Sequence, residues 1–98
     1  MNKEEFEEFR KAAVLGVVDA WFKLAVCYAN GWGVEKDPEE AVKWYKKSAE
    51  QGDAGAQCNL GLCYAYGEGV EKDSQKAVEW WTKAAEQGHM RSQSILGW

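Results

Sequence analysis

The residues that could do chemistry are few: three cysteines, one histidine and two Gly-x-Gly turns. His89 is the only histidine. A Ser–His–Asp or Cys–His–Asn set requires that imidazole beside a nucleophile and an orienting partner. His89 stands just past Gly88, where a helical pattern begins, and reads as a solvated helix-start residue. Cys58 and Cys63 lie at i and i+5 of one helical stretch, on different faces, and Cys27 sits in an earlier one. Neighbouring helix axes lie about 8–10 Å apart, which is too far for a Cys27–Cys63 disulfide. An odd cysteine count without an export signal favours free thiols. The turns Gly31-Trp32-Gly33 and Gly67-Glu68-Gly69 resemble phosphate cradles superficially, yet neither follows a strand or ends in Gly-Lys-Ser/Thr. The expectation is no catalytic residue, no metal ligand and no cofactor.

What remains is recognition chemistry. Six Trp, four Tyr and three Phe are many for 98 residues, and aromatic side chains are the type that anchors interfaces. Their meaning depends on a repeat. Residues 20–55 overlay 56–91 without gaps at an offset of 36, and 19 of the 36 pairs are identical. Cys27-Tyr28-Ala29-x-Gly31-x-Gly33-Val34-Glu35-Lys36-Asp37 returns as Cys63-Tyr64-Ala65-x-Gly67-x-Gly69-Val70-Glu71-Lys72-Asp73. The register continues outward, giving a partial repeat 1–19, repeats 20–55 and 56–91, and a truncated repeat 92–98.

Each period holds two helical stripes. Ala20, Leu24, Cys27 and Tyr28 recur at i, i+4, i+7 and i+8, as do Ala41, Trp44, Tyr45, Ser48 and Ala49 on a second stripe. Asp37-Pro38-x-Glu40 is an N-terminal signature, and Gly52 and Gly88 stop the second-type helices. The pattern predicts helices over 2–15, 18–29, 38–51, 54–65, 74–87 and 90–97, and no strand. Gly31, Gly33, Gly52, Gly67, Gly69 and Gly88 are expected to be structural, allowing positive φ, with Val34 and Val70 plugging the core. Small residues at Ala25 and Gly61 would let neighbouring helices approach closely.

Composition narrows the partner. A net charge of −4 disfavours nucleic acid, whose phosphates demand a Lys/Arg excess. The longest apolar stretch, Ala12–Val18, is far below the roughly 20 residues that span a bilayer. The acidic start, with Glu4, Glu5, Glu7 and Glu8, does not look like a signal peptide. A cytoplasmic protein is the expectation, with neither membrane nor nucleic acid as partner.

The run Leu60-Gly61-x-x-Tyr64-x-x-Gly67-x-Gly69-Val70-x-x-Asp73-x-x-x-Ala77-x-x-Trp80-x-x-x-Ala84-Ala85-x-Gln87-Gly88 resembles the Sel-one-like repeat, a relative of the tetratricopeptide repeat. The resemblance implies an all-α, right-handed solenoid of stacked antiparallel helix pairs, acting as a non-enzymatic scaffold that holds a protein or peptide on its concave face. Some family members are secreted and cysteine-rich with a disulfide per repeat, and a β-lactam-binding hydrolase role goes with them. Their paired cysteine spacing is not found here. The chain begins in a second-type helix and stops inside a first-type one, which suits an excised or designed fragment whose role is to fold or to self-associate.

If first-type helices line the concave face, its side chains include Phe22 and Val26, then Cys58, Leu62 and Tyr66, then Arg91 and Trp98, an apolar groove suited to a hydrophobic partner segment. A second candidate surface lies where the repeat is broken. Val14, Leu15, Val17 and Val18 stand where the next copy has Glu50, Gln51, Asp53 and Ala54, while Trp21 replaces Gln57, Phe22 replaces Cys58 and Trp32 replaces Glu68. This corner is expected to be either an interface, homo-oligomeric or with another protein, or a core covered by the first helix.

Overall fold

In a computed structural model, which describes residues 2–98, the chain forms six helices and, among the described residues, no strand. They are α1 (Lys3–Val14), α2 (Val18–Asn30), α3 (Pro38–Glu50), α4 (Ala54–Tyr66), α5 (Ser74–Glu86) and α6 (Met90–Leu96). Every end falls within one residue of the sequence expectation, because each is fixed by a local device. Asp37, Asp53 and Asp73 accept hydrogen bonds from the backbone N–H groups of Glu40, Ala56 and Lys76 at 3.2, 2.9 and 3.1 Å. His89 performs the same task for α6, its Nδ1 accepting from the Ser92 N–H at 3.3 Å. The histidine is therefore a cap. Only α2 lacks one: Val17 occupies the N-cap position and has no side chain that can accept.

All six structural glycines have positive φ, from +67° at Gly67 to +97° at Gly52. At Gly33 and Gly69 a second requirement applies. A Cβ on Gly33 would stand 2.6 Å from the carbonyl oxygen of Asn2, and one on Gly69 would collide with that of Pro38. Each loop thus tucks its glycine over the start of the second-type helix one repeat earlier, which ties successive repeats together.

Helices pack chiefly on their chain neighbours, α1 on α2 through α5 on α6, in a body of 40 × 24 × 18 Å. The core is small-residue rich. Ala25, Ala41, Ala49, Ala56, Leu60 and Ala77 are buried around Tyr45 and Tyr64, and Phe6, Ala13, Ala20, Leu24 and Cys27 form a second cluster.

Three residues marked by broken repeat symmetry turn out to serve packing. The Trp21 indole N–H donates to the Ala13 carbonyl at 3.0 Å, while Gln57 and Gln93, its counterparts at the 36-residue offset, donate to Ala49 and Ala85 at 3.1 and 3.0 Å. Trp21 keeps the inter-helix hydrogen bond with a different side chain, so it is half-buried structure and not free surface. Cys58 is buried, and its thiol cannot meet a partner as a concave-face residue would. Phe22 and Cys58 belong to a coupled exchange. Phe22 packs edge-on to Tyr45, ring centroids 5.9 Å apart, beside Ala25. One repeat later the larger Trp81 is accommodated by the smaller Cys58 and Gly61, and a Cβ on Gly61 would stand 2.5 Å from the indole nitrogen. Trp81 also donates that N–H to the Cys58 carbonyl at 3.2 Å.

Candidate functional site

The first-type helices α2, α4 and α6 present their open side as one surface carrying two hollows. The first, about 300 Å³, is walled by Phe9, Phe22, Lys23, Val26, Cys27 and Trp32. The second, about 440 Å³, is walled by Ala29, Asn30, Lys36, Tyr45, Asn59, Leu62, Cys63, Tyr66, Glu68 and Arg91. Phe22 of the first hollow packs edge-on to Tyr45 of the second, ring centroids 5.9 Å apart, so the hollows adjoin.

Of the residues expected on this face, the structure brings Phe22 and Val26 to the first hollow, and Leu62, Tyr66 and Arg91 to the second. Trp98 is exposed and lines neither. The expectation of an apolar groove fits the first hollow and is corrected for the second. Lys36 enters from the loop after α2, Tyr45 from α3, and Asn59 and Glu68 from α4 and the loop that follows it, making the second hollow polar. These contributors were missed because the sequence argument used only one stripe of the first-type helices. Trp32 and Glu68 were legible as a broken pair, and both turn out to be wall residues.

Two ionisable groups of these walls are shifted by burial. Burial pushes the Cys63 thiol up to about 11, with the nearby Glu68 charge adding to it, so the sulfur is protonated and a poor nucleophile at neutral pH. Burial likewise pushes the Tyr45 phenol up to about 12. Its hydroxyl accepts from the Asn59 amide at 3.5 Å. Among the described residues no cluster of three His, Cys, Asp or Glu side chains could hold a metal ion.

The corner at the α1–α2 turn is a separate surface. Val14 and Leu15 are 70% and 83% exposed, and Val17 and Val18 are exposed as well. The first helix does not fold over them; its own last turn forms part of the corner. Val14 and Leu15, with Glu7, Arg10 and Lys11, line a shallow hollow of about 340 Å³. No helix of the described residues is long and apolar enough to cross a membrane.

Comparison with known proteins agrees with this architecture. The family model described as Sel1 repeat matches residues 18–53 and 54–89. Among curated proteins no sequence matches. A protective antigen of uropathogenic Escherichia coli displaying an SLR fold superposes with a TM-score of 0.94 at 41% identity, over 97% of this chain and 20% of that one. A Sel1 repeat protein from Oxalobacter formigenes gives 0.88 at 42% identity, over 97% and 39%. Cysteine rich protein B of Helicobacter pylori gives 0.86 at 30% identity, over 97% and 72%. The chain thus spans only a fifth and about two fifths of the first two structures.

Proposed function

Because this chain belongs to the Sel1 repeat family, whose members generally mediate protein–protein interaction as non-catalytic scaffolds, we propose that it holds a peptide segment of a protein partner in the groove formed by α2, α4 and α6. The observation that carries this reading is the adjoining pair of hollows on one face, which combines aromatic and aliphatic walls with the amides of Asn30 and Asn59. Side chains of that mixture suit a polypeptide: the amides meet main-chain groups while Leu62, Val26 and the rings receive side chains. The raised Cys63 and Tyr45 pKa values support a binding role over an enzymatic one.

The test is selection of peptides from a random library on the immobilised chain, followed by amide chemical-shift mapping. Binders should shift resonances of α2 and α4 around the groove and should fail on a folded Leu62→Arg variant. Binding that maps elsewhere, or that survives the substitution, would remove the groove from the reading.

The α1–α2 corner supports a second reading, association of two copies of the chain. The observation behind it is the loss of a helix cap: Val17 takes the place that Asp53 and His89 use for capping, and exposes an apolar side chain instead. Oligomeric state tests it, as argued below.

A further inference from the structure

The two hollows are one pocket built twice. At the 36-residue offset Phe9 corresponds to Tyr45, Lys23 to Asn59, Val26 to Leu62, Cys27 to Cys63 and Trp32 to Glu68, and each of these residues lines its own hollow. Repetition would ordinarily give two sites of like chemistry. Here they have diverged in opposite directions.

The first hollow is apolar on nearly every side, and its one cation is engaged, with Lys23 Nζ lying 5.4 Å from the Phe9 ring centroid. Trp32, half exposed at the rim, replaces the carboxylate of Glu68. In the second hollow the phenol of Tyr45 and the amide of Asn59 replace the ring of Phe9 and the ammonium of Lys23. Lys36 and Arg91 converge there from a loop and from α6. Neither is in an ion pair among the described residues, where the salt bridge found is Lys43–Glu40. Two cations against the single carboxylate of Glu68 give this hollow a positive balance in a chain of net charge −4.

Resting on the scaffold reading above, we infer that the groove selects an extended segment carrying a bulky apolar side chain for the first hollow and a carboxylate for the second. The spacing follows from the fold. The hollows sit on α2 and α4, which both pack on α3; with packed helices about 8–10 Å apart and an extended chain advancing about 3.3 Å per residue, the two anchors stand about three to six residues apart. Apolar burial supplies most of the affinity, and the unpaired Lys36 and Arg91 supply charge discrimination, as hydrophobic anchors and complementary charges do elsewhere.

The experiment is the random-peptide selection run in parallel on the wild-type chain and on Trp32→Glu, Arg91→Glu and Glu68→Trp variants. All three positions are exposed, so circular dichroism and the melting midpoint should match wild type. Wild type should enrich Leu, Phe or Trp paired with Asp or Glu about three to six residues away. Trp32→Glu should lose the apolar preference and keep the acidic one, and Arg91→Glu should do the reverse. Each should bind a synthetic wild-type consensus peptide about tenfold more weakly. Glu68→Trp, which transplants the first hollow's rim into the second, should recruit a second apolar anchor. Should either loss variant melt early, this gain of preference decides the matter. Peptides that map to the groove without apolar–acidic pairing, or preferences unchanged by the substitutions, would overturn this inference and leave the scaffold reading standing. Selected peptides that ignore the groove altogether would overturn both.

Discussion

Ser48 is buried in α3, and its hydroxyl has no hydrogen-bond partner. The same place holds Ala12 in α1 and Ala84 in α5, so the site is built for a methyl group and the extra oxygen is desolvated without return. Ser48→Ala should therefore stabilise the chain by about 1 kcal/mol, the order of the penalty for a buried unsatisfied polar group, raising the urea midpoint; an unchanged or lower midpoint would mean that a water or a backbone carbonyl satisfies the hydroxyl in solution. Cys63 and Tyr45 bring a pH dependence with a definite sign. Their ordinary values of 9.0 and 10.0 are raised to about 11 and about 12, chiefly by burial. The unfolded chain therefore ionises first as pH rises, and stability present below about pH 9 is lost through about pH 12. Denaturation midpoints should fall across that window and fall less in Cys63→Ala. At this scale the sequence was legible for residues with local duties, such as the glycines, but misleading for Trp21. A side-chain type breaks the repeat there while its hydrogen bond to the carbonyl eight residues earlier is kept, and no pattern of types reveals a conserved bond geometry.

Helices were readable because each signal for them is short-range: a capping aspartate, a glycine stop and a stripe of period 3.6. What joins two helices was not, because it depends on volumes that compensate across space. Tyr45, Ala25 and Phe22 in one repeat do the filling that Trp81, Gly61 and Cys58 do in the next. Read singly, Phe22 against Cys58 looks like a change of surface chemistry; read with its partners, it belongs to a repacking in which a larger indole stands beside smaller neighbours. The groove was partly legible for the same reason: its first-type stripe gave Val26 and Leu62, while Tyr45 and Lys36 come from other elements. Coupling of this kind is measurable. Gly61→Ala should cost about 1–3 kcal/mol by overpacking against the Trp81 indole. Trp81→Tyr introduced with it should recover part of that loss, giving a double-mutant interaction energy of at least about 0.5 kcal/mol. Strict additivity of the two substitutions would show that the indole moves aside and that the exchange is not coupled.

On the scale of the whole molecule, a stack of hairpins leaves one turn per repeat along each edge, and those turns make the edge chemistry directly comparable. Two of them carry the polar residues Glu50, Gln51 and Asp53, and Glu86, Gln87 and His89; the first carries Val14, Leu15 and Val17. Leu15 at 83% exposure contributes almost nothing to the core, so folding does not account for its type. Val17 is costlier still, because it leaves α2 as the one helix without a side-chain cap. A contiguous apolar patch kept at the expense of a cap is what an interface requires. The double substitution Leu15→Gln with Val17→Asp gives this turn the chemistry of its neighbours and offers α2 a capping carboxylate worth about 1 kcal/mol. The variant should melt no lower than wild type. If the corner joins two copies, light scattering should show the wild-type mass rising with concentration while the variant remains monomeric. A wild type that stays monomeric at every concentration rejects self-association through this edge, and a variant that unfolds shows that the four side chains are held in contacts the folded chain needs.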